Sequence, residues 1–267
     1  MRLLVKFPTR GRPTKFLNTL SKYQHMRSTD SVHFKVTIDE DDKTMNNYQV
    51  IRAMQMWGNL SIDVMPAPGG KIKAINHGVS EVIDNYDIIL LASDDMIPII
   101  KGYDQIIIET MQRMWPDTDG VLWFNDGFRG MSTEYPLNTL CILGREYYKR
   151  FGYIYHPDYK SLWCDNEFMD VANQLGRQFY LDEIIIKHDH PMNVGTRYDT
   201  LNHRDNSYYD HDERIYQQRK ASNFYLIDTD SNHNGKGVLI SEADEPTGEP
   251  DKKKRGRKKR GDNQPIG

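Results

Sequence analysis

The 267-residue chain predicts an α/β fold, a doubly wound and mostly parallel sheet. Three observations point there. Apolar runs of strand length alternate with helix-compatible stretches from the first residues, several runs close on charged or glycine-rich segments, and the chain is long enough to bury a sizeable core without staples.

The run RLLVKFP at 2–8 reads as the first strand, and a polar–apolar segment over 14–25 reads as its helix. VHFKVTID at 32–39, a helical stretch over 45–57 and LSIDVMP at 60–66 complete a βαβαβ unit. A helical stretch over 72–85, the strand DIILLAS at 87–93, a helix over 103–115 and the strand GVLWFND at 120–126 continue the alternation. Beyond residue 138 the rhythm loosens: NTLCILG reads as a strand, 145–151 as a short helix, 164–175 as an amphipathic helix, and FYLDEIIIKHDH at 179–190 as one strand ending in histidines. Residues 195–225 read as a mobile segment passing into a helix on the acceptor side of a cleft. From 231 onward Gly, Asn, Asp, Glu, Pro and Lys dominate, so 1–230 is expected to be the folded domain and 231–267 a flexible tail.

Eight cations in KKKRGRKKR at 252–260 stand against a net charge of −3, leaving −11 on the rest. An acidic body therefore carries a basic tail. The two cysteines, Cys141 and Cys164, lack metal-site spacing and read as reduced, packed thiols, which implies a cytoplasmic setting. MRLLV before Lys6 is too short for a signal-peptide core, and no run approaches the ~18 apolar residues of a membrane span.

In open parallel sheets, polar residues that close an apolar strand have a prior claim to the ligand site. Four such ends stand out: PTRGRP at 8–13, DEDD at 39–42, SDD at 93–95 and HDH at 188–190. Asp94 and Asp95 side by side after a buried strand repel each other and call for a cation, Mg²⁺ or Mn²⁺, or else they cap the next helix. His188 and His190 at i and i+2 share one strand face, as a ligand pair does, and imidazole among oxygen ligands favours Mn²⁺. Asp165 and Glu167 open an amphipathic helix, where the helix dipole or a role as general base accounts for them. Arg10 and Arg12 flank Gly11 where a guanidinium can meet a diphosphate, and GGKIKAINHG adds Lys71, Lys73 and Asn76 without the spacing of a Walker A loop.

Taken in order over about residues 2 to 225, these motifs resemble the GT-A (Rossmann-like) glycosyltransferases, in particular the inverting family 2 type and its phage-encoded relatives. Pro8 to Pro13 is similar to the family's P-[ST]-R-G-R-P segment, and Asp39 to its nucleoside-binding acid. Gly70, Ala74, Asn76 and Gly78 resemble its G-x-x-x-A-x-N-x-G pattern, and ASDD its D-x-D metal signature, with Ala92 in the position of the first aspartate. CDNEF resembles its E-D dipeptide, with Cys164 in place of the glutamate, and HDHP its closing histidine. The resemblance implies a nucleotide-sugar donor, most simply a UDP-sugar, held by Pro8, Thr9, Arg10, Arg12, Asp39, Lys73, Asn76 and Asp94. It implies Mn²⁺ or Mg²⁺ on Asp95 and Asp94 with His188 or His190. Asp165 is then the general base, with Glu167 its rival.

Arg255-Gly256-Arg257 resembles an AT-hook, so double-stranded DNA is an expected partner through 252–260, and a hydroxymethylated base of phage DNA the expected acceptor. A phage origin would make the setting the host cytoplasm, with no membrane partner. A non-specific polyanion-binding tail, a protein or glycan acceptor, a nucleotidyltransferase and a catalytically dead binding module stand as alternatives. Trp123 and Trp163 are sugar platforms or packing residues. Arg197, Arg204 and Arg219 either contact phosphates or pair on the surface.

Overall fold

The computed structural model describes residues 1–226 and 240–241. The first half alternates as the sequence suggests: β1 (Leu3–Thr9), α1 (Pro13–Met26), β2 (Val32–Asp39), α2 (Tyr48–Gln55), β3 (Leu60–Met65), α3 (Lys71–Asn76), β4 (Ile88–Leu91), a short β5 (Met96–Pro98), α4 (Tyr103–Met114) and β6 (Val121–Phe124). Then come β7 (Ile142–Gly144), α5 (Arg145–Phe151), α6 (Cys164–Gln174), β8 (Gln178–Leu181), β9 (Ile186–His188), α7 (Pro191–Val194), α8 (Thr200–Asn206) and α9 (Tyr209–Ala221).

The main sheet runs β8-β6-β7-β4-β1-β2-β3, parallel except for β7, which lies antiparallel between β4 and β6. Inside the span expected to be all tail, Ile240–Ser241 forms a two-residue β10 parallel to β8; the rest of that span, the basic 252–260 included, lies outside the described residues.

Strand periodicity sorts the core onto both faces of the sheet. Leu3, Val5 and Phe7 of β1 and Ile88 and Leu90 of β4 join α1 and α4 in one layer, where Phe7 meets Phe16 and Tyr23 edge-on at 4.9 and 5.9 Å. Ile89 and Leu91 face the other way, onto Ile72 and Ile75 of α3, Tyr147 of α5 and Phe168 of α6. Cys141 and Cys164 are free thiols buried in that second layer.

Three expectations are corrected. The helix expected over 45–57 begins only at Tyr48, because Asn47 takes the amide of Val50 as its cap. The helix expected over 72–85 stops at Asn76: the chain turns at Gly78 with φ 69°, where a Cβ would strike the Asp63 carboxylate and the Lys35 side chain. The single strand expected over 179–190 breaks after Leu181, since Ile185 and Ile186 are buried by leaving the main sheet, and β9 pairs with β5 in a separate two-stranded ribbon. An apolar run alone does not distinguish a continuous strand from two short ones.

Beneath α3 lies a buried polar layer. Lys6, fully enclosed on β1, donates to the Thr37 hydroxyl and to the carbonyl of His77 just beyond the end of α3, while Lys35 pairs with Asp63. Burial pushes the Lys6 ammonium down to about 7 despite Asp63 nearby.

Candidate active site

Strand order fixes the place of the site. From β1 the chain builds β2 and β3 to one side and β4 to the other, so a crevice opens at the carboxyl ends of β1 and β4. Arg10, Gly11 and Arg12 enter it from β1, and Ser93, Asp94 and Asp95 from β4.

The two aspartates have different surroundings. Asp94 is salt-bridged to Arg12 at 3.2 Å and Lys15 at 3.1 Å, and its carbonyl accepts the Thr19 hydroxyl. Burial and the neighbouring Asp95 raise its carboxyl above the usual range, against the pull of those cations. Asp95 accepts the Ser93 hydroxyl and lies 3.8 Å from His188 Nε2. Burial alone would raise it too, but His188 and Ser93 outweigh that and hold it low. The β5–β9 ribbon makes this meeting: it sets Met96 opposite His188, and the Asp189 amide donates to the Asp95 carbonyl at 2.8 Å.

Asp95 and His188 fit a hard divalent cation. The 3.8 Å between Nε2 and Oδ1 is too long for a hydrogen bond, and it lets both atoms face one ion. Among the described residues no group of three or more His, Cys, Asp or Glu side chains is placed to hold a metal ion. His190 stands aside: its ring is 5.8 Å from that of His188, and its Nδ1 caps α7 by accepting from the Met192 amide. Ala92 is fully buried in the layer shared with α1 and α4.

Next to this pair, Arg10 bridges Asp39 and Asp41, and the Gly11 amide donates to Asp42 at 2.7 Å. Pro8 is the last residue but one of β1, opposite Thr37. Thr9 Oγ1 and Asp39 Oδ1, at the ends of adjacent strands, are buried and have no hydrogen-bond partner. A Cβ on Gly69 would collide with that same Asp39 carboxylate, so glycine leaves the room it needs. Two unpaired buried polar atoms in a ligand crevice are costly unless a ligand meets them.

The other wall comes from α6 and α9. Asp165 is half-buried at the start of α6, two residues past Trp163, whose φ of 62° turns the chain into the helix. Burial raises the Asp165 carboxyl and Lys71 partly counters it. Glu167 is turned away: Arg219 of α9 donates to it at 2.7 and 2.9 Å and the Tyr159 hydroxyl at 2.7 Å, all three groups buried or nearly so. Glu167, the rival base, and Arg219, read as a phosphate contact or a surface pairing residue, thus form one internal ion pair. Asp212, also on α9, receives the amides of Lys160, Ser161 and Leu162 at 2.8–2.9 Å.

On α3, Asn76 holds the loop ahead of α6 through Ile154 and Tyr155, and Lys73 lines a separate groove of about 540 Å³ with Met65, Pro68 and Pro157. Lys71 lies 3.2 Å from Ser161 Oγ and 3.8 Å from Asp205, and its charge acts on Asp165. Arg12 is held bidentately by Asp199 at 2.6 and 2.7 Å, and Leu201 of α8 lies against Gly11. Sequence reading missed Asp126, Asp199 and Lys15. It named Lys71 beside Lys73 but gave the donor role to Lys73, although Ile72 and Ile75 define the inward face of α3 and Lys71 lies nearer to it than Lys73. Trp123 is core, packed on Tyr180 at 4.7 Å, while Trp163 stacks on Tyr216 at 5.1 Å.

No family model and no curated protein matches the chain. Among solved structures it is similar to the mannosyltransferase PcManGT from Pyrobaculum calidifontis in complex with GDP-Man and Mn²⁺, at 14% identity and a TM-score of 0.54, covering 70% of this chain and 56% of that one. It is similar also to S. aureus TarS 1-349 in complex with UDP-GlcNAc, at 16% identity and a TM-score of 0.51, covering 74% and 62%. The chain thus spans less than two thirds of either neighbour. These likenesses establish the GT-A fold.

Proposed function

We propose that the chain is a metal-dependent inverting glycosyltransferase that moves a sugar from a nucleotide-sugar donor to an acceptor hydroxyl. The observation that carries this reading is the facing pair of Asp95 and His188 at the crevice of a GT-A sheet, beside the unpartnered Thr9 and Asp39 oxygens. Asp95 and His188 would hold the cation, with Asp94 and His190 beside them. When bound, the cation supplies charge to stabilise a nucleoside diphosphate as leaving group. Asp39 Oδ1 and Thr9 Oγ1 accept from the nucleoside, and Arg10 orients the Asp39 carboxylate through its other oxygen. Arg12, Lys15 and Lys71 line the phosphate path. Asp165 takes the proton from the acceptor hydroxyl as the hydroxyl attacks in line, and no covalent enzyme intermediate is needed.

Both likenesses support this reading by their bound molecules: GDP-Man with Mn²⁺ in one, UDP-GlcNAc in the other. Lys73 and Asn76, by contrast, draw donor roles from the motif resemblance only. The finer acceptor reading, a hydroxymethylated base of phage DNA in a cytoplasmic setting, draws its support from the cationic 252–260 segment alone. No helix among the described residues is long and apolar enough to cross a membrane.

Calorimetric titration of UDP and GDP with and without Mn²⁺ tests the donor site. Binding that needs the metal and disappears in Asp95→Ala is expected; metal-independent or absent binding overturns the reading. A panel of nucleotide sugars offered with hydroxymethylated DNA, digested and weighed as nucleosides, tests the acceptor. Transfer releases a nucleoside diphosphate, whereas pyrophosphate would identify a nucleotidyltransferase. Donor hydrolysis without a base adduct would move the acceptor to protein or glycan.

A further inference from the structure

The geometry points to Asp126 as a positioning residue that fixes the tautomer of His188, keeping the proton on Nδ1 and leaving the Nε2 lone pair toward Asp95 and the crevice. Asp126 follows β6 and is 1% exposed. Its Oδ1 accepts the amides of Phe128 and Arg129 at 2.8 and 2.6 Å, and its Oδ2 accepts the Thr139 hydroxyl at 2.6 Å. Three donors therefore lock the carboxylate in one orientation. Its carbonyl in turn accepts the His188 amide at 2.9 Å, which ties β9 to the same turn.

Asp126 Oδ2 lies 3.6 Å from His188 Nδ1, which is buried and has no hydrogen-bond partner. A neutral imidazole carries one proton, and the hydrogen-bonding needs of its two nitrogens decide where it sits. A bare lone pair on Nδ1 would face a buried carboxylate, a repulsion that a proton there converts into attraction. Nε2 opens instead to the crevice, 3.8 Å from an Asp95 oxygen already served by Ser93. The line Asp126–His188–Asp95 is thus a carboxylate–imidazole relay of the type that orients a metal-binding histidine from behind. Asp126 touches neither the crevice nor a substrate and acts through the ring alone.

The consequence for a cation rests on the metal reading proposed above; the tautomer does not. Asp126→Asn tests both, because the amide keeps an oxygen for the two backbone donors and turns its NH₂ toward Nδ1 and Thr139, which reverses the ring's preference. The full chain labelled with ¹⁵N-histidine is compared with His188→Gln for assignment, at a pH where the two ring ¹⁵N shifts show the neutral form. The Nδ1–H form is expected in the wild type and the Nε2–H form in Asp126→Asn. Mn²⁺ alone, titrated by electron paramagnetic resonance, is expected to bind Asp126→Asn roughly 10–100-fold more weakly. An Nε2–H tautomer in the wild type overturns the inference even if the variant does not fold. So does an unchanged tautomer in a folded variant. A wild-type chain that takes up no Mn²⁺ yet shows the Nδ1–H form removes the metal reading and keeps the role of Asp126.

Discussion

Asp165 and Glu167 stand two residues apart in sequence and were interchangeable as candidate bases, yet the helix turns them to opposite fates. Asp165 has a carboxyl raised by burial and countered by Lys71, and Glu167 is consumed by Arg219 and Tyr159. Asp165→Asn is expected to lower kcat by about 10²–10⁴-fold while leaving metal-dependent UDP binding and the melting temperature in place. Glu167→Ala is expected to do the reverse first: it leaves Arg219 buried without its partner and costs about 3 kcal/mol in denaturant unfolding. A base works deprotonated, so the rising limb of kcat/KM against pH should lie above the ordinary carboxylate range, and Lys71→Met should move it further up by removing a cation that favours ionised Asp165. A limb that stays put in Lys71→Met would separate Lys71 from the base. Single residues are where sequence reading was weakest. Asp126 is one acid in FND whose sequence neighbours offer its carboxylate only backbone amides, and only β9, 62 positions later, reveals the imidazole it faces.

At the scale of elements, α9 braces the wall of the crevice. Through Asp212 it fastens three consecutive amides of the loop ahead of α6, and through Arg219 it fastens α6 itself. Asp212→Ala strands those amides and is expected to cost about 3 kcal/mol or more. Hydrogen exchange would read the effect most sharply at Ser161 and Leu162, and kcat should fall more than donor affinity because the loop leads into Asp165. Uniform loosening of the whole chain, with no excess at those amides, would contradict this. Elements with a strong apolar period, such as β1, α1, β2 and β4, were legible from sequence because burial imposes that period directly. The 179–190 run was not, since β8 and β9 bury their apolar residues on different sheets and only the partner strands tell them apart. Likewise the turn beyond α3 needs Gly78, because a Cβ there would strike the Asp63 carboxylate, a contact between distant positions.

At the scale of the molecule, the polar layer under α3 couples sheet and helix to pH. Lys6 titrates near 7 in the fold and near 10.5 when unfolded, so between those values the unfolded chain binds more protons and stability gains with rising pH. Relative to Lys6→Met, the wild type should gain up to about 1.4 kcal/mol per pH unit over that window, measured as the difference between their denaturant midpoints. A difference that does not change with pH would mean that Lys6 keeps its charge inside. The doubly wound order itself was legible, because it follows from the alternation and from parallel strands needing crossovers. The sheet's polarity then placed the PTRGRP and ASDD ends together without any contact being known.

The pairing of the crevice cations has one more consequence. Arg10 and Arg12 are already matched by Asp39, Asp41, Asp94 and Asp199, and Lys15 shares Asp94, so acidic groups outnumber these basic ones on the crevice floor. A diphosphate arriving alone would meet no surplus positive charge, whereas one arriving with a divalent cation brings its own neutralisation. Nucleotide and cation affinities must then be linked, each strengthening the other by an equal factor, and the site would behave as a receptor for the complex rather than for either part.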